Sequence, residues 1–351
     1  MKNIIGSWIC IDDKKNATYF PSAGGNSSES GVQQIYWRCI CVFYWTARYH
    51  NPDAYLVLFS NQSQLPVVDG TSVSDILKKF GVHFYVTPFE YVTPNGYFGK
   101  WRNQFYEFSV FKFVSNHKDF YDDDLFLLLD SDCIITGNLG PLFLSLHRHK
   151  HITYEINYNN IQYKINGNSR EDMKVIFEDL LGRSIPDFPV YHGGEFYGSS
   201  IKVTRTLMED FYILWEQLLL RNSLGQEKLN EEAHVLSYLF YKNNIKGGGA
   251  NNFIKRLWTD PTIFRNVKAK DVHLLIWHLP AEKRKGFKKF FSWLQFINFE
   301  LHTINTAKFH RLIQKIFLVP YIPIQRKPYY AAKFIIKKIG SLFNTKTDSF
   351  T

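Results

Sequence analysis

The chain contains 351 residues, of which 45% are hydrophobic, 17% aromatic and 21% charged, and its formal net charge is +10. This composition excludes a generally disordered chain and a small disulfide-stabilised scaffold, and it predicts a globular protein with a sizeable core. The four cysteines lack the C-x-x-C spacing of metal sites, no secretory leader is recognisable, and no apolar stretch reaches the roughly 20 residues that cross a bilayer. We therefore expect reduced thiols and a cytoplasmic protein.

Apolar runs alternate with helical patterns along the first 130 residues. The runs at 3–11, 54–60, 82–87 and 125–129 predict strands, and helices are predicted up to residue 49 and at 74–80 and 101–116. Two further helices are predicted at about 201–221 and 230–243. Strands separated by helices indicate an α/β fold with a Rossmann-like, mostly parallel sheet flanked by helices. Ligands of such sheets bind beyond the carboxyl ends of the strands.

Two carboxylates stand where the apolar run LFLLL ends. Asp130 and Asp132, on either side of Ser131, follow residues 125–129 directly. Two carboxylates on one turn can bind a hard cation through oxygen, and Mg²⁺ or Mn²⁺ can then hold a diphosphate. The alternative is an acidic pair that merely ends a strand, since such pairs are common in turns. The acidic run at 122–124, before the strand, predicts a solvated turn.

Three segments resemble one enzyme family. The string LLLDSDCIITGNL around Asp130 is similar to the Asp-x-Asp segment of nucleotide-sugar glycosyltransferases of the GT-A fold. The string YHGGEFYGSS at 191–200 and NEEAHVLSYLF at 230–240 resemble two segments of the retaining galactosyl- and N-acetylgalactosaminyltransferases of blood-group A/B type, and related bacterial lipopolysaccharide and capsule enzymes share the fold. The resemblance implies a GT-A catalytic domain at 1–280, with a donor-binding half at about 1–140 and an acceptor-side half at about 141–280.

The resemblance also implies roles for individual residues. Glu232 matches the catalytic carboxylate and Glu231 the adjacent acid, although a glutamate in a first helical turn is also an ordinary partner of the helix dipole. The implied acceptor-side residues are His192, Gly193, Gly194, Glu195 and His234; the implied donor-binding residues are Ile9, Lys100, Arg102, Asp130, Ser131, Lys283 and Lys285; and the implied metal ligands are Asp130, Asp132 and His278, with His273 as the rival of His278. The family's leading histidine is Asn230 here. For the glycines the alternative is a β-bulge, and for the histidines a position in the core or in solvent.

The C-terminal region differs from the rest in charge. Residues 281–351 contain 14 Lys or Arg and 3 acidic residues, a net +11, whereas the preceding 280 residues carry 28 basic and 29 acidic residues, a net −1. Aromatic residues lie among the lysines, and residues 329–343 (YYAAKFIIKKIGSLF) predict an amphipathic helix. Such a helix is typical of attachment to an anionic membrane surface, here the inner face of the cell membrane, or else of domain packing with a solvated basic face.

Together these patterns predict a metal-dependent glycosyltransferase. We expect Mn²⁺ or Mg²⁺ as cofactor, a UDP-linked sugar as donor, and a glycan or glycolipid acceptor of bacterial surface polysaccharide or lipopolysaccharide biosynthesis. The resemblance implies retention of the anomeric configuration. Two other hypotheses remain at this point: a nucleotidyltransferase that acts on sugar phosphates, and a non-enzymatic protein that binds nucleic acid or another polyanion through its basic region. The glycosyltransferase prediction includes no nucleic-acid partner.

Overall fold

The structure is a computed structural model that describes residues 1–99, 102–157, 160–324 and 328–333. Lys100, a predicted donor-binding residue, lies outside the described residues, as do residues 334–351, which include most of the predicted amphipathic helix. Residues 328–333, at its start, are helical.

The observed elements follow the predicted alternation of strands and helices. The strands are β1 (Asn3–Ile9), β2 (Tyr19–Phe20), β3 (Gly25–Asn26), β4 (Tyr55–Ser60), β5 (Val67–Val68), β6 (Thr71–Ser72), β7 (Val82–Val86), β8 (Leu125–Leu129), β9 (Cys133–Ile135), β10 (His151–Glu155), β11 (His192–Ser200), β12 (Ile254–Arg256), β13 (Thr259–Asp260), β14 (Phe264–Arg265) and β15 (Ile276–His278). The α-helices are α1 (Ser30–His50), α2 (Val73–Lys79), α3 (Tyr106–Asn116), α4 (Gly140–His149), α5 (Arg170–Leu181), α6 (Ile201–Ser223), α7 (Glu232–Lys242), α8 (Gly286–Phe296) and α9 (Thr306–Phe317).

A six-stranded sheet of order β10-β11-β8-β1-β4-β7 forms the centre of the fold. β8, β1, β4 and β7 are parallel, and β11 runs antiparallel to both β8 and β10. The predicted fold class, an α/β fold with a mostly parallel sheet flanked by helices, is confirmed. Because β11 is antiparallel and Phe196 pairs with Leu129, the beginning of β11 lies at the edge where β8 ends. Segments 129–132 and 192–196 therefore meet there.

Apolar side chains cover both faces of the sheet. On one face, the buried core contains nine residues of α1 together with residues of α2, α4, α8 and α9. On the other face, the buried core comes from α3, α5, α6 and α7, and α3 packs against α6. Phe108 of α3 stacks on Phe211 of α6 with ring centroids 4.0 Å apart. The sheet is thus a rigid layer between two helical layers, as expected for strands that are hydrophobic throughout.

A second, three-stranded sheet of order β12-β15-β9 lies beside the central one. β9 begins directly after Asp132, and its antiparallel pairing with β15 sets His278 opposite Cys133. β12 is parallel to β15 and sets Arg256 beside His278. Residues far apart in sequence are therefore fixed next to the acidic turn by backbone hydrogen bonding.

The helices after residue 281 pack on the body of the protein. Phe290 of α8 is fully buried, stacks on Trp293 with centroids 5.4 Å apart, and meets Trp45 of α1 edge-on at 5.9 Å. A separate C-terminal region at 281–351 stays a prediction. None of the described helices combines the length and the apolar character that crossing a bilayer requires.

Replacing Phe290 with alanine tests this packing. We expect Phe290→Ala to lower the free energy of unfolding by about 3–5 kcal/mol, because a fully buried ring leaves a cavity that the core fills incompletely. Phe296→Ala on the same helix is the matched control, since that ring is 85% exposed, and it should change stability by less than about 0.5 kcal/mol. Urea denaturation followed by circular dichroism measures both. Equal effects would contradict the described packing of α8.

Candidate functional site

The acidic turn between β8 and β9 is held by backbone hydrogen bonds on both sides. The amide of Asp130 donates to the carbonyl of Glu195 at 3.2 Å, and the amide of Cys133 donates to the carbonyl of Asp130 at 3.1 Å. The carbonyl of Asp132 accepts from the amide of Leu279 at 3.0 Å. Neighbouring strands thus fix the direction of both aspartate side chains.

His278 completes a cluster of three metal-ligating side chains. Its Nε2 atom lies 3.2 Å from Asp132 Oδ2 and 3.5 Å from Asp130 Oδ2. One ligand atom from each of the three residues lies within 4.8 Å of the others. His273, the rival ligand, is exposed in the short 3₁₀ helix Ala269–His273 and is not part of this cluster.

The other side of the His278 ring faces a buried ion pair. Its Nδ1 atom lies 3.2 Å from Glu195 Oε1, and Arg256 donates to both oxygens of Glu195 at 2.7 and 2.6 Å. Burial would raise the pKa of Glu195, but Arg256 and His278 outweigh it and lower that pKa to about 2. A carboxylate that binds the second nitrogen of a histidine fixes the ring so that the first nitrogen points at a ligand.

Lys283 supplies a positive charge to the acidic turn. Its ammonium lies 3.0 Å from Asp132 Oδ2 and over the ring of Tyr36, 5.1 Å from the centroid. Burial would raise the pKa of Asp132, but Lys283 and His278 outweigh it and hold that pKa below its usual range. For His278 burial favours the neutral ring, yet Asp132 and Glu195 outweigh it and raise its pKa to about 9. Two positively charged groups, Lys283 and protonated His278, therefore lie next to Asp132.

The chemistry of these side chains fits a divalent ion. Two carboxylates and one imidazole are ligands that Mn²⁺ accepts, and the two carboxylates also suit Mg²⁺. Asp132 Oδ2 is buried and makes no hydrogen bond of good geometry, although two cationic groups lie close to it. A buried carboxylate oxygen is costly unless cations satisfy it, and among the described residues Lys283 and His278 supply that positive charge. Asp130, Asp132 and His278 would hold such an ion, which would supply positive charge for a diphosphate.

Two cavities meet at this cluster. The first, the strand-end cavity, lies at the carboxyl ends of β1 and β8 and is lined by Ile9, Tyr36 and Ser131 among others. The second, the helix-end cavity, lies at the beginning of α7 and is lined by residues such as Tyr191 and Trp258. Four residues line both cavities: Gln104, Asp130, Glu232 and Lys283. A ligand in one cavity would therefore meet a ligand in the other beside Asp130 and Glu232.

Two buried carboxyl groups at the cleft have no ion-pair partner among the described residues. Glu232, in the first turn of α7, is 7% exposed, and its Oε2 atom has no hydrogen-bond partner. Glu107 of α3 is 1% exposed and lines the strand-end cavity. Burial, followed by the charges of neighbouring carboxyls, raises the pKa of both groups well above the ordinary range. The cleft holds these side chains at a cost in stability, which is typical of a site that acts on a ligand.

Glu231, by contrast, is engaged by its surroundings. It accepts a hydrogen bond from the hydroxyl of Tyr191 at 2.6 Å and one from Asn166, and His234 Nε2 lies 3.5 Å from it. These contacts connect the start of α7 with the segment before β11 and with the loop before α5. Glu231 therefore holds the backbone that presents Glu232.

Gly193 and Gly194 allow the carboxyl groups to approach the start of β11. A Cβ atom at Gly194 would lie 2.3 Å from Glu232 Oε1, and one at Gly193 would lie 2.3 Å from Glu195 Oε2. Any side chain at Gly194 would thus displace the Glu232 carboxyl from its present position. The need for glycine here comes from neighbouring protein groups.

The other predicted residues lie at varying distances from the cleft. Arg102 donates to Asn16, Asn95 and the carbonyl of Thr93, so it joins surface loops. Lys285 is exposed outside both cavities. His192 and His234 are buried behind the cleft and line neither cavity. The structure therefore brings together Ile9, Asp130, Ser131, Asp132, Gly194, Glu195, Glu231, Glu232, His278 and Lys283.

Several residues of the cleft escaped sequence reasoning. Glu107 had a usable signal, because a lone acidic residue among the aromatics of an apolar helix must be buried for a reason. Arg256 had none, since its partner Glu195 is 61 residues away. Tyr36 and Trp258 had no signal either, because aromatic residues in apolar runs are usually part of the core.

No protein-family model matches the sequence, and a comparison with curated proteins also gives no match. Among solved structures, the chain is similar to the galactosyltransferase LgtC in complex with donor and acceptor sugar analogues, with 12% identity, coverage of 93% of this chain and 99% of LgtC, and a TM-score of 0.48. It is also similar to an active-site mutant of LgtC, with 13% identity, coverage of 92% of this chain and 99% of the mutant, and a TM-score of 0.47. A third similar structure is mouse xyloside xylosyltransferase 1 in its apo form, with 11% identity, coverage of 79% of this chain and 97% of that enzyme, and a TM-score of 0.43. At these TM-scores the likenesses carry no functional conclusion for this chain.

The burial of His192 predicts a pH effect on stability. The ring is 4% exposed and packs edge-on against Phe240, and burial lowers its pKa from 6.5 to about 4. Below pH 6.5 the unfolded chain binds the proton and the folded chain does not, so stability is lost as the pH falls towards 4. This group should account for about 2 kcal/mol of lost stability between pH 7 and pH 5.

Urea denaturation at both pH values measures the effect. His192→Gln removes the titrating ring and should reduce the pH dependence by that amount, whereas His273→Gln, at an exposed position, should leave it unchanged. An unaltered pH dependence in His192→Gln would mean that His192 is protonated in the folded protein.

Proposed function

We propose that the chain is a metal-dependent glycosyltransferase that moves a sugar from a nucleotide sugar to a glycan or glycolipid acceptor. One observation carries the proposal: Asp130, Asp132 and His278 present ligand atoms within 4.8 Å of one another where two cavities meet. A divalent ion there would neutralise a diphosphate bound in the strand-end cavity. Negative charge grows on that diphosphate as the sugar departs, and nearby cations lower the barrier to the extent that they stabilise this charge.

The position of Lys283 supports the same role for the strand-end cavity. Its ammonium lies 3.0 Å from Asp132, and the residue lines both cavities. Lys283 can therefore provide a second positive charge beside the diphosphate. The part of the cavity near Ile9 and Tyr36 is apolar enough for a nucleoside. We assign UDP as the most suitable nucleotide and Mn²⁺ as the most suitable ion, on the resemblance and on the mixed oxygen and nitrogen ligands.

Glu232 is the group we assign to the sugar. It lines both cavities, so it lies where the anomeric carbon of a donor and the hydroxyl of an acceptor would meet. The bond from that carbon to the diphosphate oxygen breaks, a bond to the acceptor oxygen forms, and the departing diphosphate takes up the acceptor proton. In its ionised form Glu232 would stabilise the positive charge on the sugar or bond to it transiently, which would give the retention that the resemblance implies.

The basic C-terminal region supports an acceptor at an anionic surface. Lys288 and Lys289 are exposed on α8, on the side opposite its buried residues, where they can approach lipid phosphates. A peripheral position on the inner face of the cell membrane would bring the cleft close to lipid-linked acceptors, such as those of surface polysaccharide or lipopolysaccharide biosynthesis.

Binding of nucleotide and metal tests the proposal. With the wild-type protein we expect UDP and Mn²⁺ together to raise the melting temperature by more than the sum of their separate effects, because each completes the site of the other. In an assay of UDP release across a panel of UDP-sugars, Asp132→Asn should lower kcat/KM by more than about 100-fold, since a direct ligand is lost.

Asp123→Asn is the matched control, because it makes the same chemical change in the exposed turn before β8 and should retain wild-type activity. Circular dichroism of each variant shows whether it is folded. Wild-type turnover in a folded Asp132→Asn protein, or no joint effect of UDP and Mn²⁺ on the wild type, would overturn the proposal.

Replacing Glu232 with glutamine should separate activity from stability. Glu232→Gln removes a carboxyl whose ionised form is disfavoured in the folded protein by burial and then by neighbouring carboxyls, so the free energy of unfolding at pH 7 should rise while kcat falls by at least about 100-fold. Binding of UDP and Mn²⁺, measured by calorimetry, should stay within about threefold. Glu231→Gln is the comparison, because it weakens a hydrogen-bonded network and should lower stability. Unchanged turnover in Glu232→Gln would remove this residue from the mechanism.

A further inference from the structure

A groove continues outward from the helix-end cavity. This outer groove shares Ser22, Trp258 and Pro280 with the cavity. Beyond them its lining includes Ile263, Phe264, Arg284 and Lys285. A ligand that begins beside Glu232 therefore has a continuous path past Trp258 to the protein surface.

Trp258 stands at the junction with its backbone fixed. Its amide donates to Asn266 Oδ1 at 2.9 Å, and its carbonyl accepts from the amide of Asn266 at 3.2 Å. The side chain is half-buried and lines both the cavity and the groove. A rigid indole ring beside a polar site offers an apolar face with a hydrogen-bond donor at its edge, which suits the faces of a sugar ring.

The outer groove carries positive charge that the described protein does not neutralise. Arg284 and Lys285 are exposed, and no carboxylate among the described residues forms an ion pair with either. The carboxylate of Asp260, on the same groove, is already bound by Lys333 at 2.6 Å. Glu282 is buried and accepts a hydrogen bond from Thr259 at 2.5 Å. Arg284 and Lys285 therefore remain available to bind an anionic ligand.

Two apolar side chains also line the outer groove. Ile263 is 73% exposed and Phe264 55% exposed, on the hairpin formed by β13 and β14. The groove thus offers two cations and two exposed apolar side chains, with an aromatic ring where it meets the helix-end cavity. Arginine and lysine together are well suited to a phosphate, because charge-assisted hydrogen bonds to phosphate oxygens are strong.

We propose that the acceptor is an anionic saccharide. Its accepting sugar lies between Glu232 and Trp258, and a phosphate or carboxylate further along the same molecule binds Arg284 and Lys285. This inference rests on the proposed glycosyl transfer and adds the class of acceptor to it. Lys285, predicted from sequence to bind the donor diphosphate, acquires a role at the acceptor, while Lys283 alone of this basic run faces the acidic turn.

Matched sugars with and without phosphate test the proposal. The probes are glucose and glucose 1-phosphate, and lactose and lactose 1-phosphate, each titrated in the presence of UDP and Mn²⁺ and followed by ligand-observed NMR. For the wild type we expect at least one phosphorylated member to bind about tenfold more tightly than its neutral partner. In Arg284→Gln/Lys285→Gln this preference should disappear while affinity for the neutral sugar is unchanged.

Two further variants make the assignment specific. Trp258→Ala should weaken the neutral and the phosphorylated sugar by a similar factor, and Trp258→Phe should restore most of the loss. Lys78→Gln/Lys79→Gln, which removes the same charge from an exposed pair on α2, should keep the wild-type preference. A preference that persists in Arg284→Gln/Lys285→Gln, or that disappears equally in Lys78→Gln/Lys79→Gln, would overturn the assignment.

The source of the anion is settled by competition. Vesicles of phosphatidylglycerol should displace lactose 1-phosphate no better than vesicles of phosphatidylcholine do; strong displacement by phosphatidylglycerol alone would mean that the two cations bind lipid headgroups instead of the acceptor. Binding of UDP and Mn²⁺ should be equal in all variants. If UDP and Mn²⁺ fail to bind the wild type, the proposed function itself is wrong, whereas normal UDP binding without a phosphate preference contradicts the acceptor class alone.

Discussion

The antiparallel pairing of β15 with β9 holds His278 beside Asp132, and the rest of the cleft depends on it. Because the acidic turn lies between β8 of the large sheet and β9 of the small one, the two sheets together fix both carboxylates. The parallel pairing of β12 then brings Arg256 to the Glu195 carboxylate behind the histidine ring. Side chains from four segments of the chain, at 130–132, 195, 256 and 278, are thereby held in one geometry.

Charge balance is the second constraint on the cleft. Asp132 and Glu195 are compensated by Lys283, His278 and Arg256 at short distances, whereas Glu107 and Glu232 are buried without an ion-pair partner among the described residues. Taking a carboxyl group out of water costs free energy unless a cation or donor replaces the solvent. Glu232 lies where the two cavities meet and Glu107 lines the strand-end cavity, so a bound substrate would contact both groups.

The sequence carried most of the fold but only part of the site. The strands and helices that were predicted agree with the observed bounds to within a few residues, because continuous apolar runs such as 125–129 and periodic runs such as that of α6 are local signals. Helices α4 and α5 were not predicted. Asp130 and Asp132 were recognisable for the same reason, since they end such a run. The Arg256–Glu195–His278 contacts were not predictable, because they depend on the register of two short strands. His192 matched a motif, yet burial behind the cleft takes it away from ligands.

The three basic residues just before α8, at 283–285, lie in two different places. Lys283 is buried against the acidic turn, and the next two residues point outward along the groove, while Phe287 and Phe290 anchor the same helix in the core. Since a packed core transmits displacement with little loss, α8 cannot shift at one end of the cleft without shifting at the other. Under the proposed acceptor assignment, the fixed spacing between Lys283 and the next two residues would set how far the acceptor's charge must lie from its accepting hydroxyl. Saccharides in which this distance differs would then bind less tightly.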